Sequence, residues 1–412
     1  MARKSAKRKK AEKKLRNIII IILIIAVVAF LVYSYINGTL DQVINTIKQM
    51  INGNGNDNGG GGSGGNGGGS DLEFNSATYD PVVIKEQALS IHFLELGNKY
   101  TGDSVYIKAG DTDILIDAGS RKNSAETIKA YVDNFCTDGK LEYVVATHAH
   151  QDHIAGFIGT KSGGVRNGIF TVYQVGTIIE FTNTNDKDKA LYKEYLEVRN
   201  AQVDAGAKLV TALDCIKGTN GGQKVYDLTG DGSITMEVLY QKFYDNVASD
   251  ENDYSVCVMI RQGDNQYLFT GDLEKEGEES LVQENDLGKV VLFKGGHHGS
   301  KTSSNDFLLK EIKPDIVCVC CCTGSDYYTD ANENQFPTQQ FVNNVAPYTD
   351  NVYATSIVSD NAEGYTSMNG NIVLTCDNGK DISMYFSNNS TKLKDTEWFK
   401  NNRTCPDAWK EQ

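Results

Sequence analysis

The chain has 412 residues, of which 40% are hydrophobic and 9% aromatic, a composition that suits one large or two ordinary domains with a buried core. The net charge of −14 combines a basic head, residues 1–16, with nine Lys/Arg and one Glu, and a remainder with 31 Lys/Arg and 53 Asp/Glu. An acidic body of this kind argues against a protein that adheres to nucleic acid by charge alone, although it leaves room for a local basic groove.

An apolar run, NIIIIILIIAVVAFLVYSYI, occupies residues 17–36 directly after the basic head. The nineteen residues from Ile18 to Ile36 include one Ser and no charged residue, and a helix of that length crosses a hydrocarbon layer of ~30 Å. Because Lys and Arg stay on the cytoplasmic side, we expect a single-pass cell-membrane protein with a cytoplasmic N-terminus and an extracellular body. A cleaved signal peptide is the alternative, but the length of the run favours the anchor.

Residues 37–51 form a possible helical stalk, since apolar residues recur at helical spacing in LDQVINTIKQMI. A solvated stalk without fixed structure is the alternative. The Gly/Asn/Ser-rich tract at 52–70 cannot bury a core and predicts a flexible linker. We therefore expect the working domain at 71–390, followed by a C-terminal tail at 391–412.

From residue 88 onward, short runs rich in β-branched and aromatic residues are separated by turn residues, which predicts strands. The predicted strands are ALSIHFLEL, DSVYIKAG, DILIDAG, LEYVVAT, ITMEVLY, YSVCVMIRQG, QYLFTG, KVVLF, DIVCVCCC, NVYATSIV, NIVLTC and ISMYF. Helices are predicted in AETIKAYVDNF and at 186–199, 273–285, 305–312 and 338–345. Many strands interrupted by a few helices predict an α+β fold, in which two sheets pack together between flanking helices.

Four of the nine cysteines fall in DIVCVCCC, at Cys318, Cys320, Cys321 and Cys322. This segment predicts a buried strand in which cysteine acts as a small apolar residue. A thiolate site for a soft metal is the alternative, but the chain has no partner Cys-x-x-Cys. The odd number of cysteines leaves the disulfide state open.

The motif HAHQDH follows the predicted strand LEYVVAT and contains three of the six histidines of the chain. His148 and His150 are two residues apart, so in extended backbone their side chains point the same way. Asp152 and His153 follow where the chain turns. Imidazole nitrogens and carboxylate oxygens are ligands for Zn²⁺, Mn²⁺ or Fe²⁺, and four such groups in six residues predict a metal site.

Further potential ligands stand at the ends of other predicted strands. Asp272 ends LFTGD, the pair His297 and His298 follows KVVLF, and Asp117 ends DILID. Strand ends from distant parts of the chain can meet at one edge of a sheet sandwich, and the glycines beside these residues allow tight turns. Together with HAHQDH, they predict one shared site.

These motifs resemble the metallo-β-lactamase fold superfamily, with its HxHxDH signature followed by later Asp and His ligands. The stretches ALSIHFLELGNKYTGDSVYIKAGDTDILIDAG and FKGGHHGSKTSSNDFLLKEIKPDIVCV are similar to the extracellular metallo-β-lactamase-like domain of the competence protein ComEC. The resemblance covers roughly residues 88 to 386. It implies an αββα sandwich, a metal-dependent hydrolase and a phosphodiester substrate such as DNA.

The resemblance also implies two divalent metal ions, Zn²⁺ or Mn²⁺, that share and activate a water molecule. By analogy, one of the paired histidines would bind metal, and His297 is preferred to His298. The implied ligands are His148 and His150 for the first ion, Asp152, His153 and His297 for the second, and Asp272 as a bridge between both.

Catalytic and supporting roles are implied in the same way. Asp152 or Asp272 would orient the attacking water. Asp117 would support the ligands by holding a histidine in one tautomer.

The chain departs from the superfamily pattern in two places. No histidine occurs between 154 and 296, where a third ligand for the first metal is expected. The segment DENDYSV offers Asn252, Asp253 and Ser255 instead, and oxygen ligands would favour Mn²⁺ over Zn²⁺. The Gly-His-Pro of ComEC-like chains appears here as QFP, which puts a role of that histidine in doubt.

Other polar residues near these motifs have structural interpretations. Lys301, Ser303 and Ser304 could contact a phosphate, but SSND before FLLKEI is typical of a helix N-terminus. His92 lies within a strand pattern, which favours a hydrogen-bonded histidine of the core.

The leading expectation is a membrane-anchored extracellular phosphodiesterase or nuclease that acts on DNA or nucleotides, with a role in DNA uptake and competence. One alternative is hydrolysis of a β-lactam, lactone or thioester, since this fold hosts many chemistries. Another is a non-catalytic module that captures DNA.

Overall fold

The computed structural model describes residues 75–359 and 364–410. The basic head, the predicted anchor at 17–36, the stalk and the linker lie outside these residues. In the part of the chain that the structure describes, no helix is long and apolar enough to cross a membrane.

The first sheet has nine strands within the described residues, in the spatial order β1-β19-β18-β2-β3-β4-β5-β8-β9. Its strands are β1 Asn75–Thr78, β2 Leu89–Phe93, β3 Val105–Ala109, β4 Thr112–Ile116, β5 Lys140–Ala146, β8 Gln174–Glu180, β9 Lys208–Thr211, β18 Ile372–Asp377 and β19 Asp381–Phe386. Strands β4, β5, β8 and β9 run parallel, whereas β2 and β3 pair antiparallel.

The second sheet has eight described strands in the order β10-β11-β12-β13-β14-β15-β16-β17. Its strands are β10 Val225–Asp227, β11 Ile234–Leu239, β12 Cys257–Gln262, β13 Asn265–Phe269, β14 Leu292–Lys294, β15 Ile316–Thr323, β16 Val352–Val358 and β17 Tyr365–Ser367. Strands β13, β14, β15 and β16 are parallel to one another. A separate small hairpin joins β6, Lys161–Ser162, and β7, Val165–Arg166.

Two groups of helices flank the sheets. The helices of the described residues are α1 Pro81–Lys85, α2 Ser124–Val132, α3 Gln151–Ile158, α4 Ile169–Val172, α5 Ala190–Asp204, α6 Ala212–Lys217, α7 Lys275–Glu284, α8 Asp306–Ile312, α9 Gln339–Val345, α10 Glu397–Asn402 and α11 Asp407–Lys410. Helices α2 to α5 pack together beside the first sheet, and α7, α8 and α9 pack beside the second. The predicted αββα sandwich is therefore confirmed.

Side-chain alternation along the strands builds the layers. On β2, the ring of Phe93 stacks on Phe269 of the second sheet, whereas His92 points to Tyr131 at the end of α2. On β15, Cys318 and Cys320 belong to the core that includes the first sheet. The alternate residues Val317, Val319 and Cys321 pack with the helices beside the second sheet. The cysteine-rich segment is a fully buried strand, as its sequence predicts.

Several predicted boundaries differ from the structure. Helix α5 begins and ends later than the predicted 186–199, since Asp186 pairs with Lys189 in a turn before the helix. No strand is predicted from the sequence at the positions of β8 and β9. The segment predicted as a C-terminal tail includes α10 and α11, whose Trp409 is buried and donates a hydrogen bond to the Thr349 carbonyl.

Strand direction brings the predicted motifs to one edge of the sandwich. In their own sheets, β4 and β5 run parallel, and so do β13, β14 and β15, and each of these strands points its carboxyl end at that edge. Asp117 follows β4 directly, and the HAHQDH motif begins two residues after β5. The loops after β13 and β14 carry Asp272 and the histidine pair. The fold thus assembles residues that lie up to about 180 positions apart in sequence.

Candidate metal centre

The HAHQDH motif crosses from β5 into α3. His150 is the N-cap residue of α3, and His153 lies in the first turn of that helix. The side chains of His148 and His153 are fully buried, whereas His150 is half-buried. Nε2 of His148 lies 3.1 Å from Nδ1 of His150, so the extended backbone before the helix brings these two imidazoles together, as the spacing predicts.

His153 bridges two carboxylates. Its Nδ1 lies 2.7 Å from Oδ2 of Asp117, and its Nε2 lies 3.0 Å from Oδ2 of Asp272. Asp117 also accepts hydrogen bonds from the backbone N–H and the hydroxyl of Thr147. Burial alone would lower the pKa of His153, but Asp272 and Asp117 outweigh it and raise that pKa well above its usual value.

His148 has the opposite electrostatic environment. Burial, together with the neighbouring imidazoles of His153 and His150, lowers the pKa of His148 well below its usual value. Its Nδ1 lies 3.2 Å from the Thr147 hydroxyl and 3.4 Å from the Ser255 hydroxyl. The imidazole is therefore neutral, which is the form that binds a metal ion.

Asp272 stands at the centre of the cluster. Its Oδ2 lies 3.0 Å from Nε2 of His153 and 3.2 Å from Nε2 of His298. Its backbone N–H donates to the Ser255 hydroxyl at 3.0 Å. The preceding Gly271 has a φ of 55° and leaves no room for a larger side chain beside Ser255 and Thr147. This tight turn places the carboxylate between histidines from two loops.

The histidine that faces the cluster is His298, whereas the resemblance favours His297. Nε2 of His298 lies 3.2 Å from Asp272 and 3.6 Å from Asp152, and its Nδ1 lies 3.0 Å from the Cys320 carbonyl oxygen. His297 is more exposed, its Nδ1 lies 3.4 Å from Glu274, and its Nε2 is 3.8 Å from Asp272. Both residues have positive φ, and in this turn consecutive side chains diverge.

Of the three residues that DENDYSV offers, Ser255 and Asp253 lie in different surroundings. Ser255 contacts both His148 and the backbone of Asp272. Asp253 accepts a hydrogen bond from the backbone N–H of Glu274, so it supports the loop after β13 instead of facing the imidazoles. Burial raises the pKa of Asp253 to about 6.

Two charged residues of the site are missing from the sequence-based set. Asp103 lies between β2 and β3, and its Oδ1 is 3.0 Å from Nδ1 of His298. Lys294 ends β14 and places its Nζ 2.5 Å from Oδ2 of Asp103. A signal for Asp103 exists, because it begins the predicted strand DSVYIKAG within the stretch that carries the resemblance. Lys294 stands at the end of a predicted strand, where an exposed lysine is common, and the sequence gives no indication that it is buried.

The donor set fits divalent cations. Four overlapping groups within the described residues contain a buried imidazole and have potential ligand atoms within 4.8 Å of one another: His148, His153 and Asp272; Asp152, His153 and His298; Asp103, Asp272 and His298; and Asp103, Asp117 and His153. Oδ1 of Asp272 and Nε2 of His298 are buried, and neither makes a hydrogen bond within the described residues. Nitrogen and carboxylate donors that face one another in this way suit Zn²⁺, Mn²⁺ or Fe²⁺.

The predicted resemblance to the metallo-β-lactamase superfamily is confirmed by the model of that family, which matches residues 97–161, the part that contains HAHQDH. The chain is also similar to short parts of two curated proteins. It is 36% identical over 73 residues to recombination protein 2 of Haemophilus influenzae, covering 18% of this chain and 9% of the relative. It is 35% identical over 99 residues to competence protein ComA of Neisseria gonorrhoeae, covering 23% of this chain and 13% of the relative.

Among solved structures, the chain is similar to the metallo-beta-lactamase fold protein YhfI from Bacillus subtilis. The TM-score is 0.38 and the identity 12%, over 65% of this chain and 95% of that chain. The chain spans about a tenth of the length of its curated relatives.

Proposed function

We propose that the chain is a metal-dependent hydrolase that cleaves phosphodiesters in DNA or nucleotides. The observation that carries this proposal is the convergence of three buried histidines, His148, His153 and His298, on the carboxylate of Asp272. A hydrophobic core would not leave so many polar atoms facing one another unless another group satisfied them.

The side chains of the centre are held in place before any ligand binds. Asp117 accepts from Nδ1 of His153 and so leaves Nε2 of that ring directed at Asp272. The Cys320 carbonyl accepts from Nδ1 of His298 and directs its Nε2 at the same carboxylate. Partners that fix the tautomer and orientation of a histidine in this way raise its quality as a ligand.

Divalent cations held by these residues would activate a water molecule and stabilise the negative charge that develops on phosphate oxygens. Asp272 and Asp152 lie where they can orient that water, and the Tyr328 hydroxyl donates to Oδ2 of Asp152 at 2.8 Å. The carboxylates of the site favour Mn²⁺ over Zn²⁺. The absence of any histidine between 154 and 296, where a third histidine ligand for the first metal is expected, favours Mn²⁺ as well.

A nucleic acid substrate is supported by the relatives, which are named as a recombination protein and a competence protein. We therefore include a role in DNA uptake in the proposal. Residues 17–36 would anchor the hydrolase in the cell membrane, with the domain on the outer side. Protease treatment of intact cells tests this topology: digestion of the domain supports it, and protection of the domain in intact but not lysed cells contradicts it.

The hydrolase proposal is tested with the full chain, stripped of metal by a chelator and reloaded with Mn²⁺ or Zn²⁺. The substrates are single-stranded DNA, double-stranded DNA, a chromogenic phosphodiester and a chromogenic β-lactam. We expect cleavage of the phosphodiesters only after reloading. The His153→Ala variant should lose this activity, whereas the control His92→Gln, which changes a buried histidine outside the cluster, should keep it.

Two results would overturn the proposal. Cleavage of the lactam alone would assign the site to another hydrolase class. Retention of metal without cleavage of any phosphodiester would leave a binding module on the same fold.

A further inference from the structure

Arg121 packs against Tyr100 and Tyr327, whose rings also contact each other edge to face with their centres 4.6 Å apart. Its guanidinium carbon lies 3.9 Å from the ring centre of Tyr100 and 4.4 Å from that of Tyr327. The guanidinium donates a hydrogen bond to the Ser120 carbonyl, and it forms no ion pair with a carboxylate among residues 75–359 and 364–410. The cation is thus held by aromatic faces, with its charge uncompensated by a neighbouring acid.

Tyr327 and the next residue, Tyr328, are unusually exposed for aromatic side chains. They are 48% and 45% exposed, and the other aromatic side chains of the described residues are buried or half-buried. Their ring centres lie 5.0 Å apart and the rings are perpendicular. The parts of these two rings that face solvent are not covered by the described residues, and exposed aromatic surface of this kind can serve as a binding surface.

The exposed tyrosines are continuous with the metal centre. The ring of Phe336 lies 6.1 Å from Tyr328 and 5.9 Å from His298. The Tyr328 hydroxyl donates to Asp152 at 2.8 Å. A row of four aromatic side chains and one arginine therefore leads from His298 to the surface. This aromatic row consists of Phe336, Tyr328, Tyr327, Arg121 and Tyr100.

We propose that the aromatic row binds the unpaired bases of a single-stranded nucleic acid, so that a neighbouring phosphodiester lies at the metal centre. This inference rests on the proposed function and names its substrate class. A base has two flat faces that stack on tyrosine, and Arg121 adds a charge for the adjacent phosphate. In a duplex the faces of the bases are already stacked, so the row has no partner there.

The charge of the domain supports a strand held by stacking. The chain beyond residue 16 has 31 Lys/Arg and 53 Asp/Glu, so binding that depended on many phosphate contacts would be unfavourable. Stacking on tyrosine is insensitive to salt, and a single arginine accounts for one phosphate contact. The surface therefore suits a short stretch of single strand near its point of cleavage.

The test measures binding without turnover. The full chain, kept metal-free with a chelator, is titrated into fluorescein-labelled oligothymidylate, into an abasic oligonucleotide of equal length and into a duplex, and fluorescence anisotropy is recorded. We expect the oligothymidylate to bind most tightly. Tyr327→Ala should weaken that binding by about 5- to 150-fold, the range for loss of one base–aromatic stack, and leave abasic binding unchanged. Tyr327→Phe should retain the affinity.

Controls separate stacking from general effects. Val247→Ala changes another exposed apolar side chain and should have no effect. Arg121→Gln should reduce the slope of log affinity against log salt by about 0.7, the value for one phosphate contact of a single strand. Lys380→Gln, an exposed lysine in the β18–β19 turn at the opposite end of the first sheet, should leave the slope unchanged.

Equal affinity for the abasic strand and the oligothymidylate, tighter binding of the duplex, or no effect of Tyr327→Ala would each overturn the inference. Because the assay contains no metal, it can fail while metal-dependent cleavage of the small phosphodiester persists. Conversely, base-dependent binding without any cleavage would remove the proposed hydrolase and leave the surface assignment in place.

Discussion

Nζ of Lys294 lies 2.5 Å from Oδ2 of Asp103, and each side chain is only 2% exposed. Lys294 ends a strand of the second sheet and Asp103 precedes a strand of the first, so this ion pair joins the two sheets. Burial alone would lower the pKa of Lys294, but Asp103 and Asp272 outweigh it and raise that pKa above its usual value. The pair therefore stays charged beneath the candidate metal centre.

Replacement of Lys294 by methionine should destabilise the fold by about 3–5 kcal/mol, because it removes the cation that lies nearest to the buried Asp103 carboxylate. The free energy of unfolding in urea measures the loss. The control is Lys217→Met, which removes an exposed ion pair with Asp245 and should cost less than about 1 kcal/mol. Equal losses for both variants would show that Lys294 has no special role in joining the sheets.

Replacement of Asp117 by asparagine should weaken metal binding by about 10- to 100-fold. Asparagine fits the positive φ of this position, but its amide nitrogen cannot accept from Nδ1 of His153, so the tautomer of that ring is no longer fixed. Competition with a chromogenic chelator measures the affinity. Asp214→Asn, at the N-terminus of α6, is the control and should bind metal as the unmodified chain does; unchanged affinity in Asp117→Asn would remove the supporting role.

His92 should make the fold sensitive to acid. Burial, with a smaller effect of Lys108, lowers the pKa of His92 from 6.5 to about 3, and its ring nitrogens contact Tyr131 and Ser90 at 2.8 Å. Below pH 6.5 the unfolded chain binds a proton that the folded chain does not, so stability falls between pH 6.5 and about 3, by up to about 1.4 kcal/mol per pH unit. In His92→Gln this part of the slope should vanish in urea unfolding at pH 7, 6 and 5. Parallel curves for the two proteins would contradict the assignment.

The cysteines should be reduced and slow to react in the native protein. All nine are free, eight are buried, and Cys405 is half-buried. Burial raises the pKa of Cys322 to about 12 and that of Cys318 well above its usual value, so neither is a thiolate at neutral pH. In the native protein, a chromogenic disulfide reagent should modify at most Cys405 quickly. After denaturation without reductant, the same reagent should modify nine thiols. Fewer than nine reactive thiols in the denatured protein would reveal disulfides. An unchanged fast phase in the native Cys405→Ser variant would exclude Cys405 as the source of that phase.

Local patterns sufficed where local forces dominate. The small apolar residues of DIVCVCCC predicted a buried strand, and all eight residues of β15 are buried. The setting of His92 within a strand pattern predicted a histidine of the core, and it is buried and hydrogen-bonded. HAHQDH predicted a cluster because its members are neighbours in sequence, and His148 and His150 do meet.

Long-range packing decided the rest of the site. The choice between His297 and His298 depends on the direction of two side chains in a turn with positive φ, which no spacing rule predicts. Asp103 and Lys294 are 191 positions apart in the sequence, and only the facing of two sheets brings them into contact.

The sequence by itself determined which residue types are available to bind metal. It also indicated the strands that these residues follow, because hydrophobic periodicity and turn residues act over a few positions. Tertiary structure decided which of those side chains meet and which surface they open onto. Tyr327 and Arg121 show the reason: neither carries a signal in its own segment, and their contact depends on loops that follow strands of different sheets and fold against each other.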